Sequence, residues 1–315
     1  MSRFGAGVLA SIAMSSTFGP SVQASSATDA SWSARIVCEY RAVAAQHPDP
    51  KLRNRDYLAA RLCDTVLLPR GYEAARDVID VDPEAYAGYF YVNARTHQID
   101  DLLDRAAAHG ITQVVVLGAG FDSRAYRFAR TYPRIKFFEV DLPATIRAKQ
   151  DVVTRALGAL PPYVRYTPID FNSQTLVSAL EHVGYDATKK TLFILEGVTM
   201  YITGSANEAV FQFFRVHAAS GSVVVFDYIW RRVVEGDYQG LYGASSAAKG
   251  LARIGEPYIS GWSQDEMVDF TRRHGLRVVE SIDAAELTRR HLLRSDGTPD
   301  GRIPEWYGMI EATVP

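Results

Sequence analysis

Acidic residues close a series of apolar segments in this chain. Glu139 and Asp141 end IKFFEVD (135–141), and Asp170 with Phe171 ends VRYTPIDF (164–171). Glu196 ends TLFILEG (191–197), Asp227 with Tyr228 lies near the end of GSVVVFDYI (221–229), and Asp122 follows VVVLGAGF. In an open parallel sheet, ligands sit beyond the carboxyl ends of the strands. One such acid is explained by helix capping. Acids repeated from strand to strand describe a cleft for hydroxyls, an amino group or a positive charge.

The second element is Gly118-Ala119-Gly120, between an apolar strand and a polar helix start. A dinucleotide fingerprint needs a third glycine, and Ser123 stands at that position. Asp122 beside the turn also opposes a pyrophosphate. A nucleoside bearing a sulfonium and an amino acid carries no phosphate; it needs acids for ribose and ammonium and a cation for its carboxylate. Glu139 and Asp141 lie about 20 residues past the turn, the spacing at which an acid meets ribose hydroxyls. The pattern favours S-adenosylmethionine over a nicotinamide dinucleotide. NAD-linked oxidoreduction, or a turn that holds nothing, stays open on this evidence.

These residues need a scaffold, and the chain supplies an alternation. QVVVLG (113–118) and the four apolar segments above read as strands, all but the last followed by a helical stretch, and several are continuously apolar. That is the mark of a parallel sheet covered on both faces. Upstream, SARIVCEYRAVAAQ reads as a helix stopped by HPDP, and RDYLAARLCDTVLL as another stopped at Pro69-Arg70-Gly71. Asp82-Pro83 reads as a cap opening a helix that runs to His109, with Gly110 as its stop. Residues 230–262 are rich in Gly and Tyr and too long for a routine connection, so they read as an inserted lid, partly helical. SQDEMVDFTRRHG (helix), LRVVESID and EWYGMIEATV (strands) follow. The expected organisation is an extension at 1–31 and one domain at 32–315. That domain comprises a helical cap (32–110), a Rossmann-like core (111–229 and 263–315) and the lid.

The chain has 315 residues, a formal net charge of −2, and 47% hydrophobic and 22% charged residues. Without a long basic run, nucleic-acid binding through a basic face is not expected. No stretch has the ~20 apolar residues of a membrane span. Cys38 and Cys63 are read as neither a disulfide framework nor a metal-ligand cluster, and no metal site is expected. Residues 1–24 loosely match a secretory signal ending Val-Gln-Ala. Residues 25–31 read as a flexible lead-in.

LGAGFDSRAYR, FFEVDLPATIRAKQ and LFILEGVTMYI together resemble the main motifs of the leucine carboxyl methyltransferase-like family, class I S-adenosylmethionine-dependent methyltransferases. The resemblance runs from about Trp32 to the C-terminus, takes in Arg41-Ala42 and HLLRSDGTP, and lies nearer the bacterial small-molecule branch, some of whose members serve natural-product pathways. It implies a Rossmann-like class I methyltransferase sheet with helices on both faces, and S-adenosyl-L-methionine as cofactor. It also implies roles. Gly118, Ala119 and Gly120 would meet the methionine part, and Asp141, followed by Leu142, the ribose. Asp170 would accept from the adenine amino group with Phe171 beside the ring, and Glu196 would lie near the ammonium or sulfonium. Arg95, in YFYVNARTHQID, would pair with the cofactor carboxylate. Each has a plainer rival: a tight turn, a helix cap, a core ring, a solvated charge.

Methyl transfer from a sulfonium acts mainly by positioning and by excluding water. An ionised carboxylate acceptor needs no base; for a hydroxyl or amine the candidates are Tyr201, Asp227, Tyr228 and His97. Tyr89, Tyr91, Tyr201, Tyr228, Trp230, Tyr238 and Tyr242 are candidate walls for a small-molecule acceptor. A protein that binds the cofactor without transferring methyl, as a regulator or an aid to cyclisation, is the rival reading. The core motifs place the enzyme in the cytoplasm, although the signal-like start points to export; the sequence leaves monomer and homodimer both open.

Overall fold

The computed structural model describes residues 30–315. The signal-like segment lies outside them. Their strands are β1 (Gln113–Leu117), β2 (Lys136–Asp141), β3 (Val164–Pro168), β4 (Thr191–Leu195), β5 (Val223–Ile229), β6 (Arg277–Ile282) and β7 (Tyr307–Thr313). Among the described residues they form one seven-stranded sheet in the order β3-β2-β1-β4-β5-β7-β6. The first five are parallel, as the alternation predicts. β7 runs antiparallel between β5 and β6, beyond the five strands of the alternation.

Register brings the strand ends together. Leu117 pairs with Val140 on one side and with Leu195 on the other, and Leu195 pairs with Phe226. The residues that follow each strand therefore share one edge. β1 and β4 adjoin where the strand order reverses, the place where such sheets bind ligands.

The continuous apolar runs follow from burial on both faces. Val114, Val116, Phe137, Leu192 and Ile194 face one core, shared with α1 (Trp32–Ala44), α4 (Gly88–Ala108) and α6 (Pro143–Leu157), the three helices being separated by the short α2 (Ala59–Leu62), by α3 (Tyr72–Val81) and by α5 (Arg124–Phe128). Val115, Leu117, Phe138, Phe193 and Phe226 face the other. That second core is shared with α7 (Leu176–Glu181) and α8 (Gly204–His217). Beyond α9 (Arg231–Val234) and α10 (Ala244–Arg253), α11 (Gln264–Arg273) joins it as well. α12 (Ala284–His291) places Leu287 in the first core.

Several local expectations change. The helix expected over RDYLAARLCDTVLL shrinks to α2, because Glu39 of α1 accepts the Leu67 and Leu68 amides at 2.6 Å and draws that stretch out straight. Cys38 and Cys63 are joined as a disulfide across the same junction, a correction to the reading that they form no disulfide framework. α3 was not anticipated, although Ala75, Val78 and Ile79 repeat at helical spacing and are buried. α4 begins at Gly88 rather than at Asp82-Pro83; Asp82 instead accepts the Ala85 amide at 3.2 Å and holds a preceding turn. The lead-in also ends earlier than expected, since Ala30 is buried and Ser31 caps α1 by accepting the Ala34 amide at 3.1 Å. No helix among the described residues is long and apolar enough to cross a membrane.

Candidate active site

β1 ends in a turn that only glycine suits. Gly118 and Gly120 have φ of +66° and +43°. A Cβ on Gly118 would collide with the Val198 side chain, and one on Gly120 would press on Ala34 of α1 at 3.1 Å. β2 fixes the turn from the side: the Ala119 amide donates to Val140 O at 3.0 Å and the Gly120 amide to Asp141 Oδ2 at 2.6 Å. The other Asp141 oxygen accepts the Leu142 amide at 2.6 Å. Burial raises the Asp141 carboxyl above its ordinary value, and the two amides work against that.

Beneath the turn, buried acids and guanidiniums alternate. Arg95 of α4 donates to Glu196 at 3.0 Å and to Asp227 of β5. Asp227 also accepts the Gly197 amide at 2.7 Å and the Tyr91 hydroxyl at 2.9 Å. Arg124 of α5 joins Glu196, Asp122 and Asp100, and Arg127 joins Asp100 at 2.7 Å. Arg41 of α1 bonds Asp56 at 2.9 Å and donates to Phe121 O at 2.9 Å. Burial works to raise Glu196, but Arg124 and Arg95 more than offset it and hold its carboxyl below the ordinary value. Burial is likewise overcome at Asp122, where Arg124, then Lys149 and Arg41, keep the carboxyl well down.

This framework floors a cavity of about 420 Å³, within the usual range for small-molecule sites. Its charged lining consists of Arg41 and Arg95 against Asp122, Asp141, Asp170, Glu196 and Glu256. Tyr91, Tyr201, Tyr258 and Tyr307 also line it. Tyr91 stacks on Tyr307 with ring centres 3.8 Å apart, and the Tyr258 and Tyr307 hydroxyls lie 3.2 Å apart. Burial, first of all, pushes all four phenols above their ordinary range. The roof is a latch: Glu256 accepts the Trp32 amide at 2.7 Å, the Ser33 amide at 2.9 Å and the Ser31 hydroxyl at 3.0 Å.

Arg95, Gly118, Ala119, Gly120, Asp141, Leu142, Asp170, Phe171, Glu196 and Tyr201, all singled out from the sequence, line this one cavity. Asp170 also holds its own loop, accepting the Asn172 amide at 2.9 Å. Asp227 lies behind the lining, fully buried. Tyr228 is elsewhere: strand alternation turns it to the opposite face, in the second core, where it packs under Gly308. His97 is elsewhere too, buried and stacked at 5.9 Å on His291, its imidazole pushed down chiefly by burial. Of the expected acceptor walls, Tyr91 and Tyr201 face the cavity, whereas Tyr89, Tyr228, Trp230, Tyr238 and Tyr242 are outside its lining. Tyr258, Tyr307 and Glu256 were missed; no spacing marks them, because they arrive from distant parts of the chain.

The chain is similar to known proteins along most of its length. The model of the leucine carboxyl methyltransferase family matches residues 34–215. A protein of Mycobacteroides abscessus named "Putative S-adenosyl-L-methionine-dependent methyltransferase" is 35% identical over 198 residues, 62% of this chain and 64% of that protein, just under two thirds of its length. One of the same name from Mycolicibacterium paratuberculosis is 30% identical over 296 residues, 83% of this chain and 90% of its own. In fold, the crystal structure of a DUF574 family protein from Streptomyces avermitilis has a TM-score of 0.57 at 18% identity, covering 91% of this chain and 99% of that one.

Proposed function

This chain belongs to the leucine carboxyl methyltransferase family, and from that premise we propose that it is an S-adenosyl-L-methionine-dependent methyltransferase acting on a carboxylate or hydroxyl of a small molecule in specialised metabolism. The observation that carries this reading is the charge of the cavity, five carboxylates against two guanidiniums. A ligand with a sulfonium, an ammonium and one carboxylate has a net positive charge and answers that excess. A dinucleotide would add a pyrophosphate to the same acids.

The residues fit such a ligand part by part. Asp141, anchored by two backbone amides, keeps lone pairs free for ribose hydroxyls. Asp170 and Phe171 suit an adenine amino group and ring face. Glu196 is held ionised for an ammonium, and Arg95 suits a carboxylate. The cofactor supplies an activated methyl group on sulfur. The chain's part is to hold the acceptor in line and keep water out. Nothing at the tyrosine end is set up as a base: the phenols are pushed up by burial and Asp227 already accepts from three donors. An acceptor that arrives ionised suits this wall best. The enzyme acts in the cytoplasm, where the cofactor is made.

Calorimetric titration with S-adenosylhomocysteine tests the reading, with NAD as control ligand and Asp141→Ala as control protein. Binding of the first ligand alone, weakened ~10–100-fold in the variant by loss of charge-assisted hydrogen bonds, is the expected result. Binding of NAD instead, or no binding, would sink it.

A further inference from the structure

Outside the cavity lining, beside the turn, lies an ion pair that the proposed chemistry does not use. Glu139 of β2 and Lys149 of α6 are 0% and 1% exposed, with Lys149 Nζ 2.9 Å from Glu139 Oε2. The Tyr126 hydroxyl donates to the same oxygen at 3.1 Å and meets the Tyr166 hydroxyl at 3.0 Å. Glu139 Oε1 has no hydrogen-bond partner among the described residues. Burying two charges is costly, and leaving one carboxylate oxygen unpaired adds to that cost. An apolar pair would have filled the space with less penalty. Stability alone therefore does not account for these residues.

Their position does. Lys149 Nζ also donates to Ala119 O at 3.3 Å, so the ammonium holds the middle peptide of the Gly118-Ala119-Gly120 turn. The same charge opposes burial at two cavity carboxylates, Asp122 just after the turn and Asp141 beside it: Asp122 is held below its ordinary value, chiefly by Arg124, while Asp141 stays above its own. Asp141 is the one that burial pushes toward the neutral form, in which it accepts fewer hydrogen bonds.

We propose that Lys149, seated by Glu139, is a positioning residue for nucleoside binding: it clamps the turn through the Ala119 carbonyl, and the next amide of that turn, Gly120 N, holds Asp141 at 2.6 Å in place for ribose hydroxyls. This rests on the cofactor reading above. Lys149 touches no ligand itself; it acts through Ala119 and Asp141.

The test compares wild type, Lys149→Met, Lys149→Arg and Glu139→Gln by calorimetry with three probes, S-adenosylhomocysteine, adenosine and 2′-deoxyadenosine. Wild type is expected to prefer adenosine to its 2′-deoxy analogue by ~10-fold, the worth of a hydrogen bond to a charged acceptor. In Lys149→Met that preference is expected to collapse to below ~3-fold while S-adenosylhomocysteine binds ~10–100-fold more weakly. Lys149→Arg should restore most of the preference, which a merely structural role would not require. If Lys149→Met does not fold, Glu139→Gln carries the test, with the preference reduced by ~3-fold or more. A wild-type protein that binds with every variant equally selective overturns the role of Lys149 alone. A wild type that binds none of the probes overturns the cofactor reading with it.

Discussion

Arg95 of α4 and Asp227 of β5 are ion-paired in the protein interior, with 5% and 0% of their side chains exposed. Asp227 thereby fixes the guanidinium that faces the cavity, and it holds the backbone after β4 through the Gly197 amide. Replacing it leaves a buried cation short of one partner and two donors, Gly197 N and Tyr91 Oη, without an acceptor. Asp227→Ala is expected to lower unfolding stability by about 3–5 kcal/mol, read by urea denaturation. A loss below about 1 kcal/mol would mean that Arg95 finds its anchorage in Glu196 alone.

Gly118 makes a sharper steric prediction. Its φ of +66° and the nearness of Val198 forbid a side chain for two separate reasons. Gly118→Ala should cost about 1–3 kcal/mol and abolish S-adenosylhomocysteine binding. Adding Val198→Ala should relieve the clash but not the backbone strain, so stability should return in part only. Full recovery would show that the φ at this position is not restrictive.

Glu256 tests the roof. It lies at the N-terminus of α1, where a carboxylate both caps amides and meets the positive end of the helix. Glu256→Ala is expected to cost about 0.5–2 kcal/mol in stability. Stopped-flow measurement should show S-adenosylhomocysteine leaving faster, by ~10-fold for one such set of bonds. An unchanged off-rate would mean that the ligand leaves by another route.

Glu139 imposes a pH dependence with a definite sign. Burial raises its carboxyl to about 7 in the folded protein from 4.5, and Lys149 only partly opposes this. The folded state binds that proton more tightly than the unfolded one, so the contribution is complete below pH 4.5 and is lost as pH rises through 7. It amounts to roughly 3 kcal/mol across that window. Below pH 4 the opposite trend enters, because Asp100, Asp122 and Glu196 are held below their ordinary values and resist protonation. His97 and His291, whose imidazoles burial pushes down, contribute the opposite sign over the same range in both proteins. The Glu139 part is therefore read as a difference: from pH 5.5 to pH 8 wild type should lose stability relative to Glu139→Gln. An equal slope in both proteins would assign the dependence to other groups.

Much of this was legible in the sequence because it is local. Strand–helix alternation, the Gly-Ala-Gly turn and the strand-end acids are short-range patterns, and parallel register carries them to one edge. Asp227 and Tyr228 mark the limit of such reading. They are adjacent, and only the sheet's choice of face decides that Asp227 meets Arg95 while Tyr228 enters the second core. The shortened helix at α2 was illegible because Glu39, far upstream, competes for its amides. Tyr258, Tyr307 and Glu256 carry no periodicity that distinguishes a cavity wall from a loop.

The latch between Glu256 and the start of α1 sets an order of assembly. On a ribosome the turn, the acids from Asp122 to Glu196 and the buried arginines Arg41, Arg95, Arg124 and Arg127 emerge early, within the segment that the family shares. Ser31, Trp32 and Ser33 must then wait for residue 256, and Tyr91 must wait for Tyr307, more than two hundred positions later. A half-made chain thus carries an acidic trough without the walls that Glu256, Tyr258 and Tyr307 add. Domains fold as units while synthesis proceeds from the N-terminus, so the closed cavity is the last feature this polypeptide acquires.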